Sequence, residues 1–137
     1  MTPALALFRS DYYKFCVVRN SWERYASLYK FQLNRGEIEK GFGKYIIDIT
    51  NQKARFPFYH WNQIRFGVHL MDDVWQFTSL REHFSKFCNQ MGLPQDIELP
   101  HLHNEGDYNY RDMYTPTTEE LIAKHCQEEI TLFKFTF

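Results

Sequence analysis

Residues 15–27 read Phe-Cys-Val-Val-Arg-Asn-Ser-Trp-Glu-Arg-Tyr-Ala-Ser, and the reading of this stretch decides the fold. The apolar run over residues 12–18 is rich in β-branched and aromatic side chains and lacks alternation, which predicts a buried strand of a parallel sheet. It meets Arg19 and passes directly into a helical pattern starting at Asn20 or Ser21 and running to about Leu33. Trp22, Tyr25, Ala26, Tyr29 and Leu33 share one face of that helix, and Gly36 terminates it. A cation at the carboxyl end of a buried strand needs a compensating anion. The helix start would aim unpaired N–H groups and a positive dipole end the same way. The layout is that of an anion site with phosphate as its guest; an internal carboxylate is the alternative partner for Arg19.

Outward from this unit, Ile38, Phe42, Tyr45, Ile46 and Ile49 mark a second amphipathic helix. Asp73 to Phe77 reads as the next strand. Leu80, Phe84, Phe87, Cys88 and Met91 then line a helix that stops at Gly92, with Pro94 just beyond. Residues 50–63 read as a loop or short helix, and the stretch from Gln95 to Thr115 as a surface wrap. Thr117 and Glu120 are placed to form a capping box for a last helix whose apolar face holds Ile122, Cys126, Ile130 and Phe133. Strands separated by helices predict an α/β fold that is predominantly helical, with a short parallel sheet flanked by helices.

A chain of 137 residues is read as a single domain over residues 1–137. Its aromatic content of 18% exceeds what one core of this size hides, so some rings are expected at the surface or in an interface. The net charge of −1 conceals a gradient: residues 1–29 carry +2, residues 30–65 carry +4 and residues 66–137 carry −7. The basic part surrounds the expected anion site, which suits an anionic ligand; solvated helix faces are the plainer account. Cys16, Cys88 and Cys126 are odd in number and lie in apolar patterns, so they read as reduced core residues. No run of eighteen apolar residues and no Asn-x-Ser/Thr acceptor occurs. A cytoplasmic chain without a membrane span or nucleic-acid partner is expected.

Residues 15–29 resemble the 3′-phosphate-binding motif of the PAPS-dependent sulfotransferases: an apolar strand, Arg-Asn-Pro-Trp-x-Arg, and a serine eight residues after the first arginine. Arg19 and Ser27 match that spacing, and Trp22, Glu23, Arg24 and Tyr29 fit the carbohydrate sulfotransferases (family 2). Ser21 stands in place of the usual proline, a mild change at a first helical position. Three later segments resemble the same family in order. Phe77-Thr78-Ser79-Leu80-Arg81-Glu82-His83-Phe84 is similar to its Phe-Glu-Asn-Leu-x-x-Asp-Phe, with Thr78 replacing the glutamate. Leu99-Pro100-His101-Leu102-His103 is similar to its Leu-Pro-His-hydrophobic-Asn. Tyr110 to Thr115, followed by a helix ending Glu129-Ile130-Thr131-Leu132-Phe133, is similar to its Tyr-x-x-Tyr-Tyr-Thr and Asp-Ile-x-x-Phe ending.

The resemblance implies a partial P-loop-like sulfotransferase fold in which Arg19 and Ser27 clasp the 3′-phosphate of PAPS or its product PAP. Ser27 lies two turns along the helix, about 10 Å from its start, so the phosphate would rest on the helix flank. Arg24 either steers nucleotide or acceptor or pairs with Glu23 or Asp72. His101 is read as nucleotide-adjacent, and His60 and Gln63 occupy positions near the carbohydrate acceptor in relatives. His101 and His103 alone are too few for a metal site, and none is expected. Gly41-Phe42-Gly43-Lys44 lacks the flanking strand and Ser/Thr of a phosphate loop and is assigned to the core.

The family's 5′-phosphosulfate loop, with its lysine, has no counterpart in the fourteen residues before Phe15. The chain therefore reads as the carboxyl-terminal part of a catalytic domain, truncated relative to its relatives and weakly active or inactive alone. The alternative is a non-catalytic anion-binding or assembly module. Removal of neighbouring strands would expose a sheet edge, so self-association is expected. A full-length animal relative would sit in the Golgi lumen.

Overall fold

In the computed structural model the strand Phe15–Val18 (β1) pairs in parallel with Asp73–Gln76 (β2), in the register Phe15 opposite Asp73 through Val18 opposite Gln76. The structure describes residues 12–39, 41–51, 71–100, 106 and 108–137. Between and after the strands run the helices Ser21–Asn34 (α1), Phe42–Asn51 (α2), Leu80–Met91 (α3), Pro116–His125 (α4) and Gln127–Phe133 (α5), with short 3-10 turns at Phe77–Ser79 and Tyr110–Met113. Among the described residues the architecture is α/β and predominantly helical, with a short two-stranded parallel sheet. No helix among the described residues is long and apolar enough to cross a membrane.

The chain divides into two compact units, residues 1–19 with 56–100 and residues 20–55 with 101–137. In the first, β1 is shorter than the seven residues the apolar run suggested, and it does alternate. Cys16 and Val18 are buried while Phe15 is exposed. Trp75 on β2 is buried, with the Phe15 ring stacked on it at 3.9 Å and the Phe87 ring of α3 against it at 5.6 Å. Asp73 keeps the indole in place: its carboxylate accepts from Trp75 Nε1 at 2.8 Å, from the Val74 amide at 2.8 Å and from the Tyr13 hydroxyl at 3.3 Å. The sheet entry is fixed beside it, where Asp72 accepts the Lys14 amide at 2.7 Å and returns its own amide to the Lys14 carbonyl. Helix α3 ends as its sequence dictates, at Gly92 in the left-handed region (φ 65°), with the Leu93 amide returning to the Cys88 carbonyl.

The second unit is helical and carries its own core of Trp22, Tyr25, Tyr45, Ile46, Ile122 and Cys126. Helix α1 runs one residue past the expected Leu33 and turns out through Gly36 (φ 68°). Helix α2 starts at Phe42 rather than Ile38: Gly41 interrupts the pattern and its carbonyl accepts the first α2 bond, from Tyr45. Ile38 still packs against the core, and the Tyr45 hydroxyl donates to Gln32 Oε1 at 2.9 Å.

The carboxyl-terminal helix differs from expectation in two ways. Its capping box is made by Thr115 and Thr118, not Thr117 and Glu120. Pro116 forces the residue before it into extended backbone, and Thr115 at φ −99° and ψ 161° is then already an N-cap. The helix also breaks into α4 and α5 at Cys126 (φ −108°, ψ 21°), although bonds from Cys126 to Ile122 and from Ile130 to Cys126 carry the ladder across the junction. Tyr110 and Tyr114, in a stretch read as surface wrap, pack against this core.

Candidate functional site

Arg19 directly follows Val18 at the carboxyl end of β1, and Phe77 directly follows Gln76 at the carboxyl end of β2. Because Val18 and Gln76 are register partners, the two residues that leave the sheet are neighbours: the Arg19 guanidinium carbon lies 4.2 Å above the centre of the Phe77 ring. Arg19 is half-buried and its Nε is fully buried. Open parallel sheets place ligands at the carboxyl ends of their strands, and a cation there is suited to an oxyanion.

In the second unit, the start of α1 is less open to an anion than its sequence suggests. Asn20 is the N-cap, and its Oδ1 accepts the amides of Trp22 at 3.1 Å and Glu23 at 3.5 Å. Those are two of the N–H groups that the sequence assigned to a phosphate, and Glu23 adds a negative charge to the same turn. Asn20 is itself held, since its Nδ2 donates to the Thr136 carbonyl at 2.8 Å. An anion here would have to displace the cap, so the favourable charge rests with side chains.

Arg24 has a partner that the sequence did not suggest. Nη1 and Nη2 meet the two oxygens of Glu129 at 2.9 Å each, and Nη2 also faces the Cys126 sulfur at 3.8 Å; neither Glu23 nor Asp72 is the partner. Burial pulls the guanidinium pKa down, but the Glu129 carboxylate together with the neighbouring Cys126 and Tyr25 outweighs it and the net shift is upward. Burial pushes the neighbouring Cys126 thiol up to about 11, with Arg24 opposing, so the sulfur is held as a thiol. Tyr25, beside the same sulfur, is raised mainly by burial. Ser27 sits half-buried on α1, three residues beyond Arg24.

Three further side chains tie the same turn of α1 to the end of the chain. Trp22 Nε1 donates to the Glu119 carbonyl at 3.0 Å, the Tyr114 hydroxyl donates to the Trp22 carbonyl at 2.8 Å, and the Phe137 ring meets the Trp22 indole edge-on at 5.7 Å. These contacts hold the first turn of α1 against Tyr114 and the carboxyl-terminal residues without any ligand.

The structure brings Arg24 and Ser27 onto one helix and sets Arg19 on the sheet edge. His60, Gln63 and His101 lie outside the described residues, as does His103. Phe42, from the glycine-flanked tetrapeptide assigned to core, packs against Tyr29 at 5.2 Å and Tyr114 at 4.8 Å. All three cysteines are free and buried. Among the described residues no three His, Cys, Asp or Glu side chains come together as a metal site would require. Phe77 is the site neighbour that sequence reading missed: it was read as the last residue of a strand Asp73 to Phe77, whereas β2 ends at Gln76. Comparison of the chain with protein-family models, with curated proteins and with solved structures finds no match.

Proposed function

We propose that this chain is a sulfotransferase-type protein that contributes the 3′-phosphate half of a PAPS or PAP site, with Arg19 as its principal anion ligand. The observation that carries the reading is the position of Arg19, the first residue beyond a strand of a parallel pair and on the sheet edge where phosphate ligands are received. The ordered run of motifs from Phe15 to Phe133 adds to it. The activity in which such a site takes part is transfer of a sulfuryl group from PAPS to a hydroxyl, on this reading one of a carbohydrate.

In that reaction Arg19 is remote from the bond that breaks. Its contact is equally strong before and during transfer, so it contributes to donor affinity more than to turnover. Arg24 is committed to Glu129 and plays no part in ligand binding; it holds the helix that bears Ser27. One charge-assisted hydrogen bond contributes roughly 1.5 to 3 kcal/mol, so half a donor site supports affinity of about millimolar order.

Calorimetric titration of PAP into the wild type and into Arg19→Ala tests the reading. We expect binding to the wild type and a loss of at least tenfold in the variant; equal affinity would sink it. A second reading, an anion-binding or assembly module without turnover, is favoured by the Asn20 cap, which occupies two donors that a tight phosphate cradle would use. Steady transfer of labelled sulfate from PAPS to mixed oligosaccharides by this chain excludes that second reading, and a monomer in light scattering at high concentration removes its assembly arm.

A further inference from the structure

Phe77 is a large apolar residue left 41% exposed at the point where β2 ends, and core packing does not account for it. Its backbone is well fixed. Gln76 before it is extended (φ −77°, ψ 132°), Phe77 opens a 3-10 turn whose carbonyl accepts the Leu80 amide, and α3 follows without a break. The ring thus springs from a fixed backbone, and the Arg19 guanidinium carbon lies 4.2 Å from its centre.

We infer that Phe77 is the positioning residue for Arg19: its ring face sets the plane of the guanidinium so that the N–H edge is presented, already oriented, to two oxygens of a phosphate group. The inference rests on the proposed role of Arg19 in binding the 3′-phosphate. A guanidinium is planar and its five donors lie in that plane, so stacking one face on a ring consumes no donor. Such stacking restricts the torsions of a long side chain that would otherwise lose rotamer freedom on binding. Bidentate contact with a phosphate requires the plane that stacking selects. Lysine, a point charge with no plane to set, would not reproduce the arrangement. The register supplies the reason these residues meet: they are the next positions after the partners Val18 and Gln76.

The test compares Phe77→Tyr, which keeps the ring, with Phe77→Leu, which keeps apolar bulk and loses it. In the ligand-free protein, NMR reads the δ-protons of Arg19. They are expected to be shifted upfield by the ring in the wild type and Phe77→Tyr, and to return toward ordinary values in Phe77→Leu; unshifted protons in the wild type would overturn the inference whatever PAP does. In PAP calorimetry Phe77→Tyr is expected to match the wild type and Phe77→Leu to bind about twofold to fivefold more weakly, the range of an exposed cation–π contact. Loss of affinity in Arg19→Ala with Phe77→Leu binding as the wild type defeats the positioning role and leaves the phosphate reading standing. Equal PAP affinity in the wild type and Arg19→Ala defeats the phosphate reading and the positioning role with it, while the ring shift still reports whether the stack exists.

Discussion

Arg24 and Glu129, separated by 105 positions in the chain, meet through two parallel hydrogen bonds of 2.9 Å, guanidinium fork against carboxylate. The pair is largely removed from water, with Glu129 10% and Arg24 22% exposed at the side chain. Breaking one partner of such a pair leaves a poorly solvated charge behind. We expect Arg24→Ala and Glu129→Gln each to lower stability by about 3 kcal/mol, at the low end for a buried pair because Arg24 keeps some water. Joint replacement by Met and Leu should recover most of the loss, as urea denaturation of the four proteins will show. Additive single losses in the double variant would mean that the two residues are not coupled.

Ser21 points to a stabilising change. It is fully buried at the first position of α1, where its hydroxyl has at most the Cys126 sulfur as a partner. Asn20 before it already has the extended backbone that a following proline demands (φ −48°, ψ 129°). Ser21→Pro should raise stability by about 1 kcal/mol, by stiffening the unfolded chain. A lower thermal midpoint in the variant would contradict this.

His125 gives stability a pH dependence. Burial and the nearby Arg24 hold its pKa below the ordinary value, with Glu129 opposing, and its ring meets Tyr25 at 6.0 Å. The unfolded chain therefore takes up the proton first as pH falls. Stability from this group is complete above the unfolded pKa of about 6.5 and declines below it, through the lower folded value. Thermal midpoints measured from pH 8 to pH 5 should fall in the wild type and fall less in His125→Gln; parallel curves would remove His125 as the source.

The thiols provide a check on both units at once. Cys16, Cys88 and Cys126 are all buried, and burial raises the pKa of Cys16 and Cys126. Native protein at pH 8 should react slowly with a thiol reagent, and denatured protein should release three equivalents promptly. Rapid labelling of one cysteine in the native state would show that its surroundings open.

Local signals in the sequence were reliable where one residue type decides the backbone. Gly36 and Gly92 end helices because the left-handed turn favours glycine, and Asn20 caps α1 because its short side chain reaches back to the following amides. The capping box at the last helix was misplaced by two residues because Thr117 and Glu120 fit the same spacing rule. Only the constraint that Pro116 places on Thr115 separates the alternatives. The parallel pairing of the two strands was anticipated, but side-chain pairings distant in sequence were not legible. Nothing around Arg24 announces Glu129, and nothing around Arg19 announces Phe77, because both contacts depend on how strands and helices register after folding.

The interleaving of the two units has a consequence for the order in which the protein can be made. Each unit is assembled from an early and a late segment of chain. As the polypeptide emerges from the ribosome, β1 has no strand to pair with until residues 73–76 appear. The first turn of α1 waits longer still: its contacts with Tyr114, Glu119, Glu129 and Thr136 all arrive with the last quarter of the chain. The arginine-bearing segment is thus synthesised well before the residues that secure it. A ribosome paused before codon 110 would hold it with its apolar face uncovered, which makes this stretch the natural place for a chaperone to bind.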